Sequence, residues 1–185
     1  MSDDASTEYK VIPIEQPRGF TSLTFAASVG DEAHVAALLE ADPKALTTKD
    51  ELMCDPLCWA ARNSRVGVVS YLLGKDADVQ SKSFGGMRPL HHACHVYDEA
   101  VIKELLSKNA DANAPDDAGN TPFHYAVRRG VLNLCQMLVD AKADVTAKNA
   151  AGMTPLHTAC NSGQVSAGSG AGRSVGCSLN LAGTI

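Results

Sequence analysis

Three histidines and a cysteine crowd into His91-His92-Ala93-Cys94-His95, and His91 and His95 stand four apart, the spacing that brings two imidazoles to one face of a helix. Zinc proteases of the H-E-x-x-H type use that spacing to hold the metal, but their general base is a glutamate at the second position, where this chain has His92. The six cysteines, Cys54, Cys58, Cys94, Cys135, Cys160 and Cys177, form no C-x-x-C pair, which argues against a thioredoxin-like site or a zinc ribbon. Gly168-Ser169-Gly170-Ala171-Gly172 neither follows a strand nor opens a helix, as a phosphate-binding loop must. The P-loop and nucleophile-elbow motifs are absent, and the carboxylates are scattered through turns and helix exteriors. The expectation is a chain that is not an enzyme, with no catalytic residue, metal or cofactor.

The histidines have another origin, a repeat. His91 closes Arg88-Pro89-Leu90-His91, and the pattern returns 33 residues on in Thr121-Pro122-Phe123-His124 and again in Thr154-Pro155-Leu156-His157. One step back stands Asp55-Pro56-Leu57-Cys58, and a degenerate copy, Thr21-Ser22-Leu23-Thr24, lies 34 residues before that. A period of this length means units stacked in a row, each burying its neighbour's apolar face.

Each position has a mechanical reading. Thr121, Thr154 and Asp55 are expected to cap a starting helix with their side-chain oxygens, and the proline after each suits the first helical turn. Arg88 has no such oxygen, so the third unit is expected to start weakest, by about 1 kcal/mol. Small residues follow at Ala26-Ala27, Ala60-Ala61, Ala93-Cys94, Ala126-Val127 and Ala159-Cys160, and Gly30, Gly130 and Gly163 are expected helix stops. Val68, Val69, Leu72 and Leu73 are echoed by Val101, Ile102, Leu105 and Leu106 and by Leu134, Cys135, Leu138 and Val139, one apolar face of a second short helix. Asp76, Asn109 and Lys142 open the next turn in a left-handed conformation that strains Lys142. Cys58, Cys94, Cys135 and Cys160 read as small core residues, Cys54 as a loop residue.

On these motifs the chain resembles the ankyrin-repeat family over residues 18–163. The resemblance implies an all-α ankyrin-repeat solenoid of helix-turn-helix units with protruding hairpin loops, in repeats near 18–49, 50–82, 83–115, 116–148 and a partial 149–163. It implies that His91, His124 and His157 hydrogen-bond between repeats. It also implies a binding scaffold or adaptor for a partner protein or peptide, engaged through hairpin tips and exposed first-helix ends on a concave face. Mapped by phase, that face holds Leu52, Arg62, Asn63, Lys82, Phe84, Met87, His95, Asn120, Arg128, Arg129 and Met153, with Cys54 beside them. The mixture of Phe84 and Met87 with arginines suggests a partner surface that is both acidic and apolar.

Composition bounds the rest. The 185 residues suit one domain, and 45% hydrophobic content supplies a continuous core. A net charge of −5 argues against nonspecific nucleic-acid binding. No run of apolar residues is long enough for membrane insertion, and the acidic opening has no secretory h-region, so a monomer in the cytoplasm or nucleus is expected. Residues 1–17 read as a flexible lead-in. After Gly163 the second-helix pattern is missing and residues 164–185 are rich in Gly, Ser and Ala, a composition expected of a disordered tail or of a truncated ankyrin protein. In the alternative reading the chain is a truncated non-catalytic ankyrin segment of a larger enzyme. The run Trp59-Ala60-Ala61-Arg62-Asn63-Ser64-Arg65 is similar to the ankyrin part of DHHC-type palmitoyltransferases.

Overall fold

The computed structural model describes residues 18–128 and 130–162. Its helices come in pairs. The first helices of the units are α1 (Ser22–Val29), α3 (Pro56–Arg62), α5 (Pro89–Val96), α7 (Pro122–Val127) and α9 (Pro155–Asn161). The second helices are α2 (Glu32–Ala41), α4 (Val66–Gly74), α6 (Glu99–Ser107) and α8 (Leu132–Asp140). Each first helix packs on the next first helix and each second helix on the next second helix, while α1 with α2, α3 with α4, α5 with α6 and α7 with α8 close the units. Among the described residues there is no strand.

The core follows from side-chain size. Ala27, Ala60, Ala61, Ala93, Cys94 and Ala126 are fully enclosed where first helices meet, and their small volumes permit the close approach. Leu57, Leu90 and Phe123, each two residues into its helix, fill the space between units, and Val68, Val69, Leu72, Val101, Ile102, Leu105, Leu134, Cys135 and Leu138 seal the second-helix side. Burying a side chain of this kind is worth roughly 2 kcal/mol, repeated from unit to unit.

Helix ends match the sequence reading in part. Gly30 and Gly130 are left-handed as expected, with Ser64 and Tyr97 taking the same conformation at the equivalent positions, and Gly163 lies outside the described residues. Asp76, Asn109 and Lys142 have φ of 62°, 60° and 65°, so the strain expected at Lys142 is present. Asp55 caps α3 by accepting from the Cys58 N–H at 2.7 Å. Thr121 and Thr154 stand at the N-caps of α7 and α9 in capping boxes, in which the third helical residue also reaches back: His124 Nδ1 accepts from the Thr121 N–H at 3.1 Å and from its hydroxyl at 3.0 Å. His91 Nδ1 accepts from the Arg88 N–H at 3.1 Å in the same way, and Arg88, as expected, gives α5 no side-chain cap.

Cys54 lies in a loop as expected, but it is buried with Cys58 and Trp59 beneath Phe20, a satellite of the main core, which corrects its placement beside the binding face. Cys160, expected in the core, is exposed, although its equivalent Cys94 is enclosed, because among the described residues no first helix stacks on the far side of α9. Cys54, Cys58, Cys94 and Cys160 are free thiols.

Candidate interaction surface

Between units the chain turns through hairpins whose bases, Asp50, Ser83, Asp116 and Asn149, are 33 residues apart. Asp50 Oδ1 accepts from the N–H groups of Leu52 and Cys54, both at 2.9 Å. Asp116 Oδ1 does the same for Ala118 and Asn120, and Asn149 Oδ1 for Ala151 and Met153. The second polar reach of three of these bases is to the first helix, nine residues on. Trp59 Nε1–H donates to Asp50 Oδ2, Tyr125 OH donates to Asp116 Oδ2 at 2.6 Å, and Ser83 Oγ lies 2.8 Å from His92 Nε2. Each of these three hairpins is thus pinned to the helix it precedes by its buried base, and every pinned donor would cost free energy if left unpaired.

Hairpins are also tied to one another. Glu51 N–H donates to Gly19 O, Phe84 N–H to Leu52 O, Asp117 N–H to Gly85 O and Ala150 N–H to Ala118 O, at 2.9–3.1 Å. Beneath this ladder His91 Nε2 donates to Asn120 O at 3.2 Å and His124 Nε2 to Met153 O at 3.1 Å. A carbonyl can only accept, so Nε2 carries the proton and Nδ1 is the acceptor that holds the helix start. Burial holds the His91 pKa below its ordinary value, in keeping with a neutral ring. His92 is pushed down to about 4, first by burial and then by the Arg62 charge. The inter-repeat role that the resemblance implied for His91 and His124 is therefore present. His91 and His95 both stand edge-on to Tyr125 at 5.9 Å, the first enclosed and bonded through both ring nitrogens, the second exposed. Among the described residues no three metal-ligating side chains converge.

Exposed positions run along the hairpin side. Phe84 is 77% exposed and Leu52 47% exposed on adjacent tips, and Lys82 is exposed at the edge of its hairpin. Arg62, His95 and Arg128, also 33 apart, are exposed at the ends of α3, α5 and α7. Arg62 lies 5.2 Å over the Trp59 ring, and the His95 ring stands edge-on to Tyr125 at 5.9 Å. Arg128 overhangs a shallow notch of about 150 Å³ between Tyr125 and Met153.

Asn63, Met87, Asn120 and Met153, also expected here and all partly exposed, take part in the fold as well. Asn63 Nδ2 donates to Ser28 O at 2.9 Å, tying repeat two to repeat one. Asn120 Oδ1 accepts from Asn149 Nδ2 at 2.9 Å, and the carbonyls of Met87 and Met153 close a hairpin and receive His124, leaving both methionines half-buried. Cys54 is enclosed and offers no surface. Arg129 lies outside the described residues. Sequence reasoning missed Met53, 55% exposed, and Trp59, whose face supports Arg62. Met53 was legible as the residue that replaces the hairpin glycine of the other repeats.

Residues 76–149 match the family model for ankyrin repeats in three copies, and residues 54–83 match that for a single ankyrin repeat. The chain is 33% identical over 78 residues to alpha-latrocrustotoxin-Lt1a of Latrodectus tredecimguttatus, a match covering 42% of this chain and 6% of that relative. The chain thus spans a small part of the relative's length. With paired helices in register, imidazoles linking neighbouring units and family matches that together run from 54 to 149, this chain belongs to the ankyrin-repeat family.

Proposed function

We propose that this chain is a scaffold or adaptor that binds a partner protein or peptide across its hairpin tips and the exposed ends of its first helices. Ankyrin repeats are protein-interaction modules, and the observation that points to this face is how its side chains are used. Most apolar side chains of the array are buried in stacking, and although Val29, Leu132 and Leu156 are exposed elsewhere, Leu52, Met53 and Phe84 gather on two adjacent tips above the buried hairpin bases, with Arg62, His95 and Arg128 exposed at the ends of the first helices. Rigid backbone lowers the ordering cost of binding, and aromatic and arginine side chains are the usual energetic centres of interfaces. The protein works in this reading as a monomer in the cytoplasm or nucleus, which suits its free thiols.

The palmitoyltransferase alternative rests on the run from Trp59 to Arg65, and these residues have local duties. Ala60 and Ala61 are enclosed, Trp59 is pinned to Asp50, and Arg65 Nε donates to Ser28 O at 3.1 Å. The run needs no enzyme to explain it, so the scaffold reading is preferred. A pull-down with the wild-type chain beside a Phe84→Ala, Arg128→Glu double variant of equal thermal stability tests it. Loss of partners in the variant is the expected result, and identical partners for both would overturn the assignment of this face.

A further inference from the structure

Four hairpins turn through a residue with positive φ at positions 53, 86, 119 and 152, and three of them use glycine. The second repeat uses Met53, at φ 57°. A side chain there is strained because its Cβ crowds the following carbonyl, and packing gives little in return, since Met53 is more than half exposed. Its neighbour Leu52 is exposed too, and the backbone of the still more exposed Phe84 is bonded directly to Leu52 O. Three large apolar side chains on two adjacent tips, one held at a conformational cost, are unexplained by folding, and strain of this kind points to a site.

On the Trp59 ring, whose indole is bonded to the base of the repeat-two hairpin, stands a cation with no carboxylate within 4 Å. Among the described residues the ion pair within 4 Å is that of Arg88 with Asp111, and Arg62 has no carboxylate so close. Arg62 rests instead on Trp59, an arrangement that orients the guanidinium and leaves its hydrogen-bonding edge available. One buried carboxylate sets both halves of the patch: Asp50 holds the Leu52 and Cys54 amides with one oxygen and the Trp59 indole with the other. Of the exposed carboxylates at the tips, Glu51 has its side chain against Gly19 on the repeat-one side and Asp117 has its side chain against Gly86 on the repeat-four side.

We propose that the tips of repeats two and three, with Arg62, form an anchor site for an acidic protein segment: large apolar side chains of the segment pack on Leu52, Met53 and Phe84 while an adjacent carboxylate pairs with Arg62. This rests on the reading that the hairpin face binds protein, and names where and by what chemistry. Although the chain carries a net charge of −5, the local cations here, Arg62 without a carboxylate within 4 Å and Lys82 exposed at the edge of the Phe84 hairpin, are the complementarity that selects an acidic segment over a basic one.

The test uses the full chain and fluorescein-labelled synthetic peptides that alternate glutamate with leucine and phenylalanine, read by fluorescence anisotropy. Saturable binding is expected, weakened roughly tenfold or more by Phe84→Ser, by Met53→Gly or by Arg62→Glu. Lysine-for-glutamate and serine-for-leucine/phenylalanine versions of the peptide should not bind. Met53→Gly keeps the conformation the hairpin already has, so its loss of binding is not a loss of folding, which the thermal midpoint checks. Equal binding of the lysine peptide, no saturable binding of the acidic one, or unchanged binding by Met53→Gly overturns the proposal. So does sedimentation of the chain with phosphatidylserine-containing vesicles that needs Met53 and Phe84 when the acidic peptide does not bind. Peptide binding lost in Arg128→Glu but kept in Met53→Gly and Phe84→Ser would leave the hairpin-face reading standing and sink only this site.

Discussion

The hairpins of repeats two and four are built on the same carboxylate and end in opposite ways. Asp50 and Asp116 each take two amides of their own hairpin on one oxygen and a ring donor nine residues on, Trp59 or Tyr125, on the other. At the tip, repeat four has Ala118-Gly119, with the glycine in its easiest conformation and the next hairpin pressed close. Repeat two has Leu52-Met53, strained and exposed. The base of a hairpin is dictated by the need to satisfy buried donors, whereas the tip is answerable only to backbone conformation and to whatever lies outside. Where a tip departs from glycine at a cost, the departure is information about binding rather than about folding.

The largest expected effects come from breaking what the two hairpins share. Asp116→Ala strands two amides and the Tyr125 hydroxyl and should cost about 3 kcal/mol in denaturant unfolding, and Asp50→Ala should cost a similar amount. The chain's one tryptophan sharpens the contrast, because Trp59 emission should shift in Asp50→Ala and stay put in Asp116→Ala.

Repeat three, whose base is Ser83 and whose ring is His92, offers a pH test. Burial first, then Arg62, depresses the folded pKa of His92 to about 4, while the unfolded ring titrates near 6.5. Between those values the unfolded chain binds more protons, so this contribution is fully present above pH 6.5 and is lost as the pH falls towards 4. The loss should approach roughly 3 kcal/mol, and His92→Gln, which cannot take up the proton, should flatten stability against pH over that window.

Smaller effects come from exchanging the tips. Gly119→Ala places a Cβ 2.7 Å from the Ala150 amide nitrogen at a φ of 75°, and a loss of about 2 kcal/mol is expected. Met53→Gly should raise stability by about 1 kcal/mol, a gain visible in the thermal midpoint. If Met53→Gly destabilised the chain, the tip would be holding the fold together and the contrast between the two hairpins would fail.

Much of this architecture can be read from the chain without coordinates, because a fixed period transfers knowledge from one unit to the next. The positive φ at Asp76, Asn109 and Lys142 and the enclosed alanines of the first helices follow from position alone. What resists such reading is choice of partner and tertiary cover. At the starts of α7 and α9 an imidazole three residues on takes the threonine N–H and hydroxyl together, a bond that the threonine and proline of the motif do not announce. Cys54 lies in a loop, where no periodicity says which way a side chain faces, and it is enclosed because Phe20, from the preceding unit, closes over Trp59. Of the residues expected on the binding face, Asn63 and Asn120 look identical in sequence to free surface amides, and their partners are a carbonyl 35 residues back and an amide 29 residues on. Pattern reports the phase of a residue within its repeat but not its partner in the next.

The bonds that link one unit to the next are divided unequally between the two sides of the array. Tip amides and imidazoles join neighbours on the hairpin side, whereas α2, α4, α6 and α8 meet largely through aliphatic side chains. Hydrogen bonds resist displacement in a chosen direction, and apolar contacts tolerate sliding. When the array bends, the second helices should slip past each other like the pages at the open edge of a book, while the spine of hairpins keeps its spacing. A docked partner would then feel a ruler of constant graduation on a body that is free to flex behind it.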